Sequence, residues 1–414
     1  MSDNIPFEVQ TEIIQRIPDT KSLIRYRSVS KAWKSVIDSN KFVKAHTLRH
    51  HQAHNRHHLL IKTLDCSNCK DCTGDIPISQ HCDHCNYTPV KYYSILDDDD
   101  DDVTFPRHQK DISRVFVPDL VDEFSRRSIY RYDSEILGSC HGLFCLYEPE
   151  NDTAIIWNPF IRKTFAIPVL NECERYYMTV VGFGVCPRDF DPKLVKITYV
   201  YDFSELQDVN DASTQVEVFA LSSGGTWRSP LSNNLPHKSI QFGYYKAVVG
   251  RFIYWDAVDR INNTDVGASV IMSFDLTSEE FTKVNLPDCL ALHNPDTHFS
   301  LFNLRESLAV LVYKLNSEFG REDYNVWMMR GHGCTRSFDK LYSINAPIHS
   351  TLGFRKSGAP IIEVDNDKED YYRHERALAI YEPKSESISY IGVYGLRRTF
   401  YVNSYKETLL LHGH

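Results

Sequence analysis

The residues of this chain best suited to chemistry are concentrated in one insert, CSNCKDCTGDIPISQHCDHC. Cys66, Cys69 and Cys72 come first, then Cys82 and Cys85, with His81 and His84 interleaved. A C-x-x-C pair gives a turn whose thiolates can point at one tetrahedral zinc, so Cys66, Cys69, Cys82 and Cys85 form a candidate zinc set. Four protein ligands leave no open coordination position, and such a metal would rigidify a loop without catalysing. Cys72 is surplus to the set, and free loop thiols account for the same residues. His46, His50, His54 and His58 recur every four residues. On a continuous helix they share one face, as metal-binding imidazoles or as polar residues of a solvated linker.

Other reactive patterns are thinner. The chain has no G-x-G-x-x-G after a strand, no P-loop, no H-E-x-x-H and no G-x-S-x-G. Cys140 adjoins His141, but neighbours on an extended strand point to opposite faces, which suits a buried cysteine better than a nucleophile. Asp256, Asp259 and Asp275 supply the carboxylates a glycosidase needs, and turn closure explains them as well. No residue takes a catalytic role, and the expectation is a non-enzyme with no cofactor beyond a structural zinc.

Charge and composition narrow the partners. The net charge is −9, and the run Asp97–Asp102 carries six of the negative charges, leaving a nearly neutral body. That body has no electrostatic footprint for nucleic acid or an anionic membrane, and the aspartate run reads as a solvated loop. No stretch approaches eighteen apolar residues, and no basic n-region precedes an apolar run at the start. The eleven cysteines then read as thiols of a soluble cytoplasmic or nuclear protein.

Residues 1–45 must form a helical module. Pro6 suits a first helical turn, and Val9, Ile13 and Ile17 follow at intervals of four with Ile14 beside them. Pro18 and Asp19 stop that helix. Leu23, Ile24 and Val29 suggest a second helix; Ser30 caps a third bearing Trp33, Val36 and Ile37. Forty residues cannot bury so many apolar groups in one self-contained core, so a partner should cover some of them. Ile5-Pro6, Val9, the EIIQRIP stretch to Ile17-Pro18, Ser22-Leu23, Arg25, Val29-Ser30-Lys31 and Trp33 resemble the F-box, in order and without a gap. The resemblance implies three helices that dock onto a Skp-type adaptor and, through it, a cullin. It assigns Ile5, Pro6, Val9, Ile13, Ile17, Pro18, Leu23 and Trp33 as adaptor-facing or face-supporting.

After a linker over residues 46–58, the chain becomes strand and turn. LLIKTL (59–64) and VKYYSIL (90–96) read as strands, with a Cys-rich insert between them and the poly-Asp run after the second, the two together spanning 66–102. Later segments share one plan: an apolar strand ending in an aromatic, then a turn, then a second strand. The strand-end aromatics are Trp157, Phe219, Phe274, Trp327 and Tyr381, spaced by 62, 55, 53 and 54 residues. An all-strand unit of about fifty residues is the signature of propeller blades. Five units are visible; TFYVNSY and TLLLH near the C-terminus can pair with LLIKTL and VKYYSIL to make a sixth, removing open sheet edges. The expectation for residues 59–414 is an all-β propeller of six blades, with seven as the alternative.

Gly138-Ser139-Cys140-His141-Gly142-Leu143, Trp157-Asn158-Pro159, Gly182-Phe183-Gly184, Val249-Gly250-Arg251 through Trp255, and Phe274-Asp275-Leu276 resemble the F-box-associated, kelch-like domain of plant F-box proteins. The two resemblances together imply a substrate-recognition subunit of an SCF-type ubiquitin ligase, with the propeller binding an unidentified protein client. An F-box protein acting without a cullin and a carbohydrate-binding propeller are the alternatives. The loops around Ser204–Ser213, Asp259–Gly267, Asn316–Tyr324 and Asp365–His374 are polar and irregular, and their composition names no ligand.

Overall fold

A computed structural model describes residues 5–52, 57–64, 90–97, 107–112, 135–148, 152–169, 177–200, 213–260, 267–291, 297–314, 324–331, 336–366, 375–397 and 399–411. The candidate zinc residues Cys66, Cys69, Cys82 and Cys85, with Cys72, His81 and His84, lie outside that set, as do Asp98–Asp102 and His54.

The N-terminal module has four helices rather than three: α1 (Phe7–Arg16), α2 (Thr20–Tyr26), α3 (Lys31–Ile37) and α4 (Asn40–Gln52). Pro6 precedes α1 and its carbonyl accepts from the Val9 and Gln10 amides. Asp19 caps α2, accepting from the Ser22 amide at 2.7 Å, and hydrogen bonding by the Ser22 side chain, with a smaller share from that amide, holds its carboxyl below the ordinary carboxylate value. Ser30 caps α3, as its sequence position predicts, accepting from Trp33 N at 3.1 Å. The fourth helix takes up most of the expected linker. Ser39 Oγ accepts from Phe42 N at 3.3 Å, restarting the helix after Asp38, and Arg27 holds Asp38 with two bonds of 2.7 and 3.1 Å. The histidine row does not share one helix face, because α4 ends at Gln52 and His58 falls on the strand that follows. His46 is buried on α4, stacked on Phe42, with Nε2 3.3 Å from Pro18 O, while His58 sits on a strand with Nδ1 3.2 Å from Ser94 Oγ.

Six four-stranded antiparallel sheets follow. Their innermost strands are Tyr401–Tyr405, Glu135–Cys140, Tyr177–Val185, Ile240–Val249, Thr297–Leu304 and Ser350–Phe354, for blades 1 to 6. Each touches the next around a closed ring, so the fold is a six-bladed propeller. Blade 1 is composite: Tyr401–Tyr405 pairs with His57–Leu64, which pairs with Val90–Asp97, which pairs with Arg107–Asp111. TFYVNSY therefore closes the ring as expected. TLLLH does not; Thr408–Leu411 form no strand and are buried below the ring.

The five repeating aromatics all fall on the third strand of their blades. Trp157, Phe219, Phe274 and Tyr381 are fully buried between blades, and Trp327 is half-buried. The polar residue after the aromatic starts the turn where it can accept from the backbone. Asn158 Oδ1 accepts from Phe160 N and Ile161 N, and Asp275 Oδ1 from Thr277 N and Ser278 N. Neighbouring blades press closely: any Cβ on Gly182 would overlap the Trp255 ring from blade 4. Glu279 of blade 4 is fully buried, bound by Lys193 of blade 3 at 2.7 Å and by both Arg228 guanidinium nitrogens at 2.7 Å.

Asp97 departs from the solvated-loop expectation. It ends a strand, is buried, and accepts from Arg355 Nε at 3.0 Å and Lys356 N at 2.8 Å, tying blade 1 to blade 6.

Candidate functional site

The helical module presents two faces of different character. Its inner face is already occupied. Ile14, Leu23, Ile37, Phe42 and Val43 belong to one continuous buried cluster with Leu409, Leu410 and Leu411 and with Leu143, Phe183, Val185 and Leu221 of blades 2 and 3. The module therefore sits on the propeller face that carries the turns at His141–Gly142 and Asn158.

Its outer face is bare. Ile5, Phe7, Val9 and Ile13 are 42, 45, 45 and 50 % exposed, although their chemistry favours burial. Val9 and Ile13 are four apart on α1 and so share one side, whereas Ile14, next in the chain and about 100° further round the helix, faces inward. Val29 and Tyr26 add exposed apolar surface from α2 and the segment after it.

The sequence-assigned residues divide accordingly. Ile5, Pro6, Val9, Ile13 and Pro18 are exposed, and Ile17 and Trp33 are half-buried. The Trp33 ring stands edge-on to Tyr26 at 5.7 Å and its Nε1 donates to Gln10 Oε1 at 2.8 Å, so it braces α3 against α1. Leu23 is fully buried and supports the face from within. Sequence reasoning did not single out Phe7 or Tyr26, and it placed Val29 in a second helix that in fact ends at Tyr26, leaving Val29 exposed after it.

The opposite end of the propeller holds the second exposed aromatic group. On the innermost strand of blade 4, pairing skips from Phe242 to Lys246, so Gly243, Tyr244 and Tyr245 bulge out of the ladder. Tyr244 is 68 % exposed; Tyr245 is 44 % exposed, with its hydroxyl 3.3 Å from that of Tyr313. Tyr313 stacks on His298 and Tyr324. His298 and Tyr313 sit at the ends of their strands away from the Arg305–Glu306 turn, which lies on the module's side of the ring. The polar loops named from sequence lie, apart from their ends, outside the described residues.

The described residues hold no group of three metal-ligating side chains. Burial pushes the Cys140 thiol up to about 12, so it is no thiolate, and His141 turns away from it to stand edge-on to Phe190. Of the three aspartates, only Asp275 closes a turn. Asp259 instead holds Lys283 at 2.6 Å and Ser239 Oγ at 2.7 Å, and Asp256 lies on the strand facing Gly243.

A helical module with a free apolar face, seated on a propeller with its own exposed aromatics, defines a protein-interaction scaffold. Family comparisons agree: residues 2–45 match the F-box domain and residues 108–369 match the F-box associated beta propeller domain. The chain belongs to the F-box proteins carrying that propeller. It is similar to an Arabidopsis thaliana F-box protein, 26 % identical over 359 residues, covering 83 % of this chain and 73 % of the relative. It is also similar to an Arabidopsis thaliana F-box/kelch-repeat protein, 23 % identical over 352 residues, covering 82 % and 79 %. Among the described residues, no helix is long and apolar enough to cross a membrane.

Proposed function

We propose that this protein is the substrate-recognition subunit of an SCF-type ubiquitin ligase in a plant cytoplasm or nucleus. The outer face of the F-box, centred on Ile5, Val9 and Ile13, binds a Skp-type adaptor and through it a cullin. The propeller binds a protein client. The protein performs no bond chemistry; it holds a client lysine near a charged ubiquitin carrier, and proximity supplies the rate. Zinc in the 66–85 insert would be structural in this scheme, with no part in transfer.

The observation that carries the reading is the bare apolar row on α1, set against a module whose other face is sealed by the propeller. Val9→Asp combined with Ile13→Asp tests it, since both side chains are exposed and the fold does not depend on them. Loss of central anchors costs about 2 kcal/mol or more each, enough to abolish co-purification with the adaptor. An adaptor that still co-purifies with the double variant removes this face from the account.

The client is expected at the far mouth of the ring, where Tyr244 and Tyr245 stand out. Exposed aromatics are frequent anchors at protein interfaces, and a bulge that re-aims side chains is common beside functional sites.

A further inference from the structure

The two faces of an adaptor are useful only if their relative placement is held. Residues 53–56 are the covalent connection between the module and the first strand. The tail beyond the ring-closing strand does more. Asn158 is fully buried at the end of the third strand of blade 2. Its Nδ2 donates to Thr408 O at 3.0 Å and Leu410 O at 2.7 Å, while Oδ1 is committed to its own turn. All the hydrogen-bonding capacity of this amide is spent, and two of its bonds read the tail backbone. Gly142 makes room for the same tail: at φ +79 it takes a conformation that favours glycine, and a Cβ there would overlap Lys406 O.

So held, the tail lays Leu409, Leu410 and Leu411 into the apolar cluster shared by the F-box core and blades 2 and 3. Glu407 lies near enough to the F-box that burial and the Asp19 charge both raise its carboxyl. Each contact alone is ordinary packing. Together they place one six-residue segment against both halves of the molecule, with a dedicated side chain reading its backbone.

We propose that residues 406–411 are a clip that locks the F-box to the propeller, and that Asn158 is the positioning residue that seats it. The functional side of this inference rests on the ligase reading: a fixed F-box sets where a client stands relative to the ubiquitin carrier. Asn158→Asp is the selective probe. It keeps the oxygen that caps the turn, but sets a carboxylate against two carbonyl oxygens in place of the donor. A second variant, removal of residues 409–414, spares Asn158 and the ring-closing strand.

Single-molecule energy transfer between dyes at the exposed positions Glu12 and Lys384 of the full chain reads the clip directly. Wild type should give one narrow distance. Both variants should give a broad or multiple distribution, with the propeller still melting cooperatively. A distribution as narrow as wild type in the truncated protein overturns the clip. In the assembled ligase, both variants should retain the adaptor yet transfer ubiquitin to the propeller's own lysines more slowly. If wild type fails to bind the adaptor, the ligase reading falls, while the distance measurement still decides the clip. Adaptor binding with broadened distance and unchanged transfer keeps the clip but overturns its functional role.

Discussion

At the scale of single residues, the molecule commits charge where it joins blades. Burial by itself would raise the Glu279 carboxyl, but hydrogen bonds from Arg228 and Lys193 outweigh it and hold it at about 2, against an ordinary 4.5. The folded state therefore takes up this proton less readily than the unfolded chain. Its contribution to stability is complete above about 4.5 and is lost as pH falls through about 2. Glu279→Gln should flatten that part of the acid-unfolding curve. It should also cost roughly 3 kcal/mol at neutral pH by removing the carboxylate from buried Lys193 and half-buried Arg228, measurable in urea titrations. An unchanged acid limb would place the linkage elsewhere. The sequence exposed none of this, because Lys193, Arg228 and Glu279 are far apart in the chain. Asn158 and Asp275 were more legible: a polar residue after a strand-end aromatic announces a turn. The second duty of Asn158, reading the tail backbone, leaves no local trace.

At the scale of elements, legibility followed local chemistry. Ser30 is a cap by type and position, so α3 falls where the sequence places it; Asp19, read only as a stop for the first helix, also caps α2, which ends at Tyr26 short of Val29. Residues 46–58 contain neither proline nor glycine to mark the end of α4 at Gln52, and so the histidines looked like one continuous row. Asp97 was grouped with its aspartate neighbours because only the fold brings Arg355 to it. The bulge at Gly243–Tyr245 was hidden for the same reason, since an apolar strand with two tyrosines reads as regular. A prediction belongs to that element. Tyr244→Ala with Tyr245→Ala should change stability by no more than about 0.5 kcal/mol each, being surface changes. Affinity capture read by mass spectrometry should then show the adaptor retained and a wild-type partner lost. Identical partner sets would move the client site to another part of the ring.

At the scale of the whole molecule, the aromatic period of about fifty residues gave the blade plan, and the need to remove open edges gave the closure by both ends of the chain. What the period could not give was the seat of the F-box, because no repeat encodes a contact between unlike modules. Deleting Tyr401–Tyr405 should open the ring beside His57–Leu64 and leave that strand's edge unpaired. Size-exclusion chromatography should then find aggregate in place of the wild-type peak. Elution at the wild-type volume with cooperative melting would show that the ring tolerates a missing inner strand.

The composite blade also has a consequence in time. The outer strands of blade 1 are synthesised well before their inner partner, and at ordinary translation rates the wait is on the order of tens of seconds. Through that interval the inner apolar face of the F-box lacks part of its cover, since Leu409, Leu410 and Leu411 come after Tyr405. Chains interrupted before residue 401 keep both an open edge and an unsealed module, the kind of surface that chaperones and proteases recognise. Ring closure and F-box seating thus both wait on residues 401–411, and a chain interrupted before them has neither the closed ring nor the completed seat.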